Sequence, residues 1–325
     1  MIIFAPLISA LVTILLLKFL PSQKFINKVQ DIPNQRSLHN VPVPRIGGIG
    51  LITGVVSGWF FVFNLINWWM LLPLLGLFVV SLLDDIYHLN VWQRLLAHLL
   101  AAVVVVYGFG LFNQQGVITA LVIVLLIVWM INLYNFMDGS DGLAGGMALI
   151  GFGMYTIAAW LANNTELALL NFCIVSAAAG FLFYNFPPAK IFLGDAGSIP
   201  LGFLASVMGI IGWQQDCWAA WFPLMVFSPF IVDATVTLIK RTLHGEKITE
   251  AHRDHYYQRM IRLGWGHRKV ALAEYALMLL AGVTALLMIQ RLIPWQTILV
   301  WCFIYVIVIY FLDMRWKIFI REKNV

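Results

Sequence analysis

What most constrains this chain is a bilayer. Eleven apolar runs follow one another along it, at about 2–20, 46–66, 69–83, 93–112, 117–134, 142–161, 166–184, 198–214, 217–238, 270–290 and 295–314. A helix needs about 20 apolar residues to cross the hydrocarbon core. A membrane barrel would instead alternate apolar and polar residues. The runs here are continuous, so the sequence predicts an all-α polytopic membrane protein with about eleven transmembrane helices, one integral membrane domain over 1–325. Composition agrees: 62% of residues are apolar and 11% charged, against about 25% charged in a soluble domain. The third and eighth runs are short for a crossing. The first has no basic residue before it and no small-residue cleavage site, and reads as an anchor more than a removable signal. Cys173, Cys217 and Cys302 lie in or beside apolar runs without paired spacing, which points to neither a zinc site nor a disulfide framework.

Eleven crossings place nineteen of the twenty Lys and Arg residues on one side, leaving Arg291 alone on the other. Basic residues collect in cytoplasmic loops, so the amino terminus is expected to be periplasmic and the carboxyl terminus cytoplasmic. The opposite loops are short connections. The long ones, 21–45, 84–92, 135–141, 186–197 and 239–269, are all cytoplasmic, and function is expected there. No nucleic-acid partner is expected.

Those loops carry the unusual polar residues. Loop 135–141 and the run before it hold Asn132, Asn135, Asp138 and Asp141 at every third residue, followed by Gly139, Gly142, Gly145 and Gly146. On a helix, Asn132, Asn135 and Asp138 would share a face; side chains this polar at a membrane boundary need a reason to be there. A Gly-rich turn with Asp141 as a helix cap would explain part of this, and interhelical amide bonding the rest. Asp84 and Asp85 follow an apolar run directly. Adjacent carboxylates there favour a bound cation, a bound proton or a basic partner; a solvated turn is the plainer reading. Asp195 lies between Gly194 and Gly197 just before an apolar run, after Asn185 and a Pro pair. A helix start there suits a phosphate, with the carboxylate free for Mg²⁺. Arg36, His39 and Arg45 in the first loop could bind an anion or simply anchor the loop. The last loop is basic, aromatic and His-rich, with His252, Arg253 and His255 able to cradle a diphosphate. Asp233, alone inside the ninth run, is expected to face the bundle interior, to pair with a basic residue such as Arg241 or Arg253, or to stay protonated.

Acidic, basic and glycine-rich loops on one face fit a Mg²⁺-bound diphosphate. A transporter or flippase of a nucleotide-linked or polyprenyl-linked sugar is the rival reading, but its polar residues would gather nearer the bilayer midplane.

The motif order Asp-Asp (Asp84, Asp85), Asn-x-x-Asn-x-x-Asp-Gly-x-Asp-Gly-Leu (132–143), Gly-Asp-x-Gly-Ser (194–198) and a final His/Arg loop resembles the polyprenyl-phosphate N-acetylhexosamine-1-phosphate transferases. So do Asp-x-Pro-Asn-x-Arg-Ser-x-His at 31–39 and Pro-Arg-x-Gly-Gly at 44–48. The resemblance implies a bacterial inner-membrane enzyme with its active site facing the cytoplasm. It would transfer a sugar phosphate from a UDP-N-acetylhexosamine to undecaprenyl phosphate and release UMP. It implies that Asp195 ligates Mg²⁺, or Mn²⁺ in its place. Asp84 and Asp85 would lie near the lipid phosphate, one of them as general base. Asn135 would hold the diphosphate, Asp138 and Asp141 would bind nucleotide or order the site, and His252, Arg253 and His255 would contact sugar and diphosphate. Arg36, His39, Arg45, Asn132 and Asn185 complete the expected substrate-binding set, and membrane lipid and a second copy of the chain the expected partners. The last loop reads His-Arg-x-His-x-Tyr-Gln at 252–258, where the peptidoglycan members carry three consecutive His. That looks closer to O-antigen initiating enzymes, which implies a 6-deoxy sugar such as N-acetylfucosamine or N-acetylquinovosamine, or N-acetylglucosamine.

Overall fold

A computed structural model describes residues 2–22, 29–31, 42–247, 252–289 and 295–323. Arg36 and His39 lie outside the described residues. The helices are α1 (Ala5–Phe19), α2 (Gly47–Phe60), α3 (Trp68–Tyr87), α4 (Val91–Gly108), α5 (Leu111–Gln115), α6 (Val117–Phe136), α7 (Leu143–Leu161), α8 (Thr165–Asn185), α9 (Asp195–Gln214), α10 (Phe222–Val226), α11 (Ser228–Leu243), α12 (Tyr256–Met260), α13 (Gly266–Leu287) and α14 (Trp295–Lys323). One short antiparallel pair, β1 (Gln30–Asp31) and β2 (Val43–Pro44), precedes α2.

Local chemistry sets the helix starts. Asn67 caps α3 by accepting from the Trp69 N–H at 2.9 Å, and Asn164 caps α8 by accepting from the Leu167 N–H at 3.0 Å. Asn90 and Gln93 form a reciprocal box at the start of α4, which satisfies two otherwise orphaned donors. Nine helical spans among the described residues are long and apolar enough to cross a membrane. The third and eighth runs, short in the sequence, become full helices, because α3 continues to Tyr87 and α9 begins at Asp195. Two runs fall short of that length: α2 has 14 residues, and the ninth run breaks at Phe227 into α10 and α11. Ser228-Pro229 opens α11, a proline in the first helical turn.

Several expected loops are helical. Asp84 and Asp85 lie in the last turn of α3, which ends at His88 in a left-handed conformation with φ 54°; the 84–92 loop shrinks to a turn at 88–90. Asn135 lies in the last turn of α6, and 239–269 contains the end of α11, all of α12, a π-helical turn at Ile261–Trp265 and the start of α13.

One side of the bundle is packed backbone to backbone. Gly50, Gly54 and Gly58 of α2 lie against Leu17, Thr13 and Ser9 of α1, so close that a Cβ at Gly54 would sit 2.0 Å from Thr13 Oγ1. Trp59 Nε1 donates to the Leu170 carbonyl of α8 at 3.0 Å, fixing the third member. On the other side α9 is enclosed by α2, α3, α6 and α7. Its start is held by the β pair and α2: Phe192 N–H donates to Pro44 O at 2.9 Å, and Gly47 and Gly48 N–H donate to Phe192 and Leu193 O at 2.8 and 2.7 Å. These bonds place Asp195 beside the end of α3.

Candidate active site

The acidic wall forms where α3, α4, α6 and α9 meet. Asp85 is buried at the end of α3, where a carboxylate opposes its own helix dipole. It is compensated by the amino terminus of α9. Asp195 and Ala196 N–H donate to its two oxygens at 3.2 and 2.9 Å. Gly194 makes this approach with φ 74°; a Cβ there would lie 3.0 Å from Asp85 Oδ2. Asp84, also buried, accepts from Leu89 N–H at 2.7 Å and from Arg94 Nη1 at 3.2 Å. Arg94 reaches Asp195 Oδ2 as well, at 3.6 Å. From α6, Asn135 Nδ2 donates to Asp195 Oδ1 at 2.8 Å and to Ser198 Oγ at 3.0 Å. Arg45 pairs with Asp31 at 2.7 Å, and its charge acts on both Asp85 and Asp138.

The segment after α6 is the middle wall. Burial, with the charges of Asp195 and Asp85 nearby, holds the Asp138 carboxyl well above the ordinary carboxylate range, against the pull of Arg45 and the Gly194 N–H. Asp141 and Asn185 tie loops together. Asp141 Oδ2 accepts from Ala189 N–H at 2.9 Å. Asn185 accepts from Gly142 N–H and donates to Ile191 O, both at 2.9 Å. His267 closes the same corner, with Nδ1 at 3.0 Å from Ser140 Oγ and 3.6 Å from Asp141 Oδ1. Asn132 sits one turn deeper in α6, where Nδ2 donates to Val128 O at 2.7 Å and faces His98 Nδ1 at 3.3 Å. An amide nitrogen only donates, so His98 Nδ1 is the acceptor.

The third wall is basic. His255 is buried and stacks on Phe136, with ring centroids 5.9 Å apart, while the His252 ring lies 4.9 Å from it. Burial, helped by His255 and Arg241, pushes the His252 imidazole down to about 4. Arg253, between them, is partly buried. Tyr257 Oη donates to Phe136 O at 3.0 Å and so joins this wall to the middle one. The expected pairing of Asp233 with Arg241 or Arg253 is not what forms. Arg241 bonds Asp254 and Glu246 instead. Asp233 accepts from Tyr256 N–H at 2.9 Å, Tyr257 N–H at 3.0 Å and Thr237 Oγ1 at 3.2 Å, with His255 Nδ1 at 3.3 Å. Backbone N–H groups of a nearby helix start offset that charge better than a long side chain reaching in from the surface.

Two residues of the site stand outside the motifs: Arg94, one of the nineteen basic residues on the expected cytoplasmic side, and His267. The box at Asn90 and Gln93 starts α4 so that Arg94 falls in its first turn, and that much was visible. Among the described residues no three His, Cys, Asp or Glu side chains converge as a protein-only metal cage. Mg²⁺ does not need one; it is commonly held by one or two carboxylates, with water and substrate phosphate completing its shell. Asp195, with the carboxyl of Asp138 close enough to interact with it, is a hard-oxygen set of that kind.

Residues 67–213 match the family described as glycosyl transferase family 4. The chain is 30% identical to the phospho-N-acetylmuramoyl-pentapeptide-transferase of Lactobacillus helveticus, over 83% of this chain and 91% of that protein. It is 26% identical to the probable undecaprenyl-phosphate N-acetylglucosaminyl 1-phosphate transferase of Bacillus subtilis, over 88% of this chain and 82% of that protein. A decaprenyl-phosphate N-acetylglucosaminephosphotransferase of Mycobacterium tuberculosis is 26% identical, over 75% of this chain and 71% of that protein.

Proposed function

Because this chain belongs to glycosyl transferase family 4, with the polyprenyl-phosphate hexosamine-1-phosphate transferases, we propose that it moves N-acetylhexosamine-1-phosphate from a UDP-sugar to undecaprenyl phosphate and releases UMP. It is a multi-pass membrane protein and a phospho-sugar transferase acting on a polyprenyl phosphate. The finer reading is of a bacterial inner-membrane enzyme whose site faces the cytoplasm, where a soluble nucleotide sugar and a lipid head group can meet. The observation that carries the reading is the junction of Asp84, Asp85, Arg94, Asn135 and Asp195 at one end of four helices.

In this reading Asp195, with Asp138 beside it, would hold Mg²⁺, which when bound neutralises diphosphate charge. Asn135 orients the Asp195 carboxylate. Arg94 offers a guanidinium to phosphate oxygens, a geometry suited to them. Asp84 and Asp85 each have both oxygens engaged, so proton acceptance from the lipid phosphate is assigned to the pair. His252, Arg253 and His255 face the sugar diphosphate across the middle wall. The His-Arg-Asp-His order at 252–255 favours an N-acetylglucosamine or 6-deoxy-N-acetylhexosamine donor over the muramoyl pentapeptide.

The test is UMP release by the purified protein from a panel of UDP-sugars, with and without undecaprenyl phosphate. Release that requires both substrates supports the transferase. Binding of either without turnover across the panel favours the rival transporter or flippase.

A further inference from the structure

Asp233 has no role in the reaction outlined above, yet among the described residues it is the most heavily engaged carboxylate in the α11 to α13 region. It is 6% exposed and lies in the middle of α11. A carboxylate at this depth costs several kcal/mol unless it is compensated. Four groups compensate it: two backbone N–H of α12, the Thr237 hydroxyl and the His255 imidazole. The two N–H bonds would be enough to cap a five-residue helix. The His255 contact carries chemistry. His255 Nδ1 lies 3.3 Å from Asp233 Oδ1. Both Asp233 oxygens already accept backbone N–H bonds, so the proton of this contact is placed on Nδ1.

We propose that Asp233 is a positioning residue for His255. It holds the imidazole as the Nδ1–H tautomer, which makes Nε2 the accepting nitrogen of the ring. The surroundings fix the plane of the ring too. Phe136 stacks on it at 5.9 Å, Tyr257 stacks at 6.0 Å, and Gln258 Oε1 accepts the His255 backbone N–H at 3.3 Å. Asp233 reaches the same ring from a separate helix, so α11 governs the orientation of a group contributed by the segment before α12. Phe136 follows Asn135, which bonds Asp195, so the stack ties His255 to the same stretch of α6 that reaches the acidic centre. The inference rests on the reading of His255 as part of the substrate site, and the experiment separates the two.

Histidine-selective ¹⁵N labelling of the full-length protein in detergent, with His255→Gln to assign the signal, reads the tautomer directly. The expected spectrum shows His255 protonated at Nδ1. Asp233→Asn keeps one acceptor oxygen but presents an amide N–H, so the signal is expected to move toward the Nε2–H form. With UDP-sugar and undecaprenyl phosphate, Asp233→Asn is expected to lower kcat about 10-fold to 100-fold, the usual loss for an orienting partner. KM for the UDP-sugar is expected to stay within about twofold. In the double variant Asp233→Asn, His255→Gln, turnover is expected to equal that of His255→Gln alone, because one residue acts through the other. A double variant whose losses multiply, or an unchanged tautomer in Asp233→Asn, overturns the proposal, since a purely structural cap would give either result. Full turnover in His255→Gln alone would remove His255 from the substrate site; the tautomer measurement would still decide whether Asp233 sets it.

Discussion

Replacing Arg94 by Ala isolates the charge that bridges two carboxylates. Arg94 Nη1 is 3.2 Å from Asp84 Oδ2 and 3.6 Å from Asp195 Oδ2, and its side chain is 34% exposed. A charge-assisted hydrogen bond is worth about 1.5–3 kcal/mol. Exposure of a third of the side chain moves the value to the lower half of that range, and the longer contact adds little. One such bond from Arg94 to a phosphate oxygen, made in the transition state and worth about 1.5–2 kcal/mol, corresponds to roughly a 10-fold to 30-fold fall in kcat/KM when it is lost. The substitution also has an opposite effect. Without the guanidinium, Asp84 and Asp195 are less compensated and attract a divalent cation more strongly. The Mg²⁺ concentration giving half-maximal UMP release is therefore expected to fall while the maximal rate drops. Arg94→Lys keeps the charge but not the fork, and is expected to recover part of the rate. The assay is UMP release against Mg²⁺ and both substrates, with thermal melting as the control for folding. Arg94→Ala with parental kcat/KM and an unchanged Mg²⁺ midpoint would refute the assignment.

The other predictions are shorter. Asp195→Asn can still accept from Asn135, so it is expected to melt near the parent and to lose Mg²⁺-dependent turnover; near-normal turnover would remove the metal assignment. Gly194→Ala forces a side chain into φ 74°, against Asp85 Oδ2 at 3.0 Å and Arg45 Cβ at 3.3 Å. About 1–3 kcal/mol of strain is expected, read as a lower melting temperature together with a lower kcat. His252 is held near 4 in the folded protein, below its unfolded value of about 6.5. The unfolded chain therefore takes up the proton first, and the stability due to neutral His252 is present above pH 6.5 and is lost as the pH falls toward 4. His252→Gln cannot gain that proton, and its melting temperature is expected to fall less than the parent's between pH 7 and pH 5.

The fold class was legible because the bilayer leaves so few solutions for continuous apolar runs. Helix ends were harder to read. Two carboxylates after an apolar run look like a loop, yet α3 carries Asp84 and Asp85 within its last turn, because the positive end of α9 meets Asp85 there. That partnership spans 110 residues of sequence, and no local pattern announces it. The break at Phe227 did have a signal, the Ser228-Pro229 pair. The acidic and glycine-rich segments stood out because polar residues at a membrane boundary are conspicuous, but their division of labour did not. Asp141 and Asn185 are as conspicuous as Asp138 and Asn135 in sequence, and the structure directs them to backbone groups of neighbouring loops. Asp233 was conspicuous too. Its partner was misjudged because residue types show which charges exist, not which helix start will point at them.

The middle wall has one more consequence. Its chain is tied at Phe136 by Tyr257, at Asp141 by Ala189 and at Gly142 by Asn185 and Tyr275. A segment fastened at so many points has already surrendered its conformational entropy during folding, so a ligand arriving at it has little left to order. Affinity on this side would then follow shape and charge matching, with little contribution from loop closure. Rigid compounds that copy the bound outline should gain more here than flexible ones that copy only its functional groups.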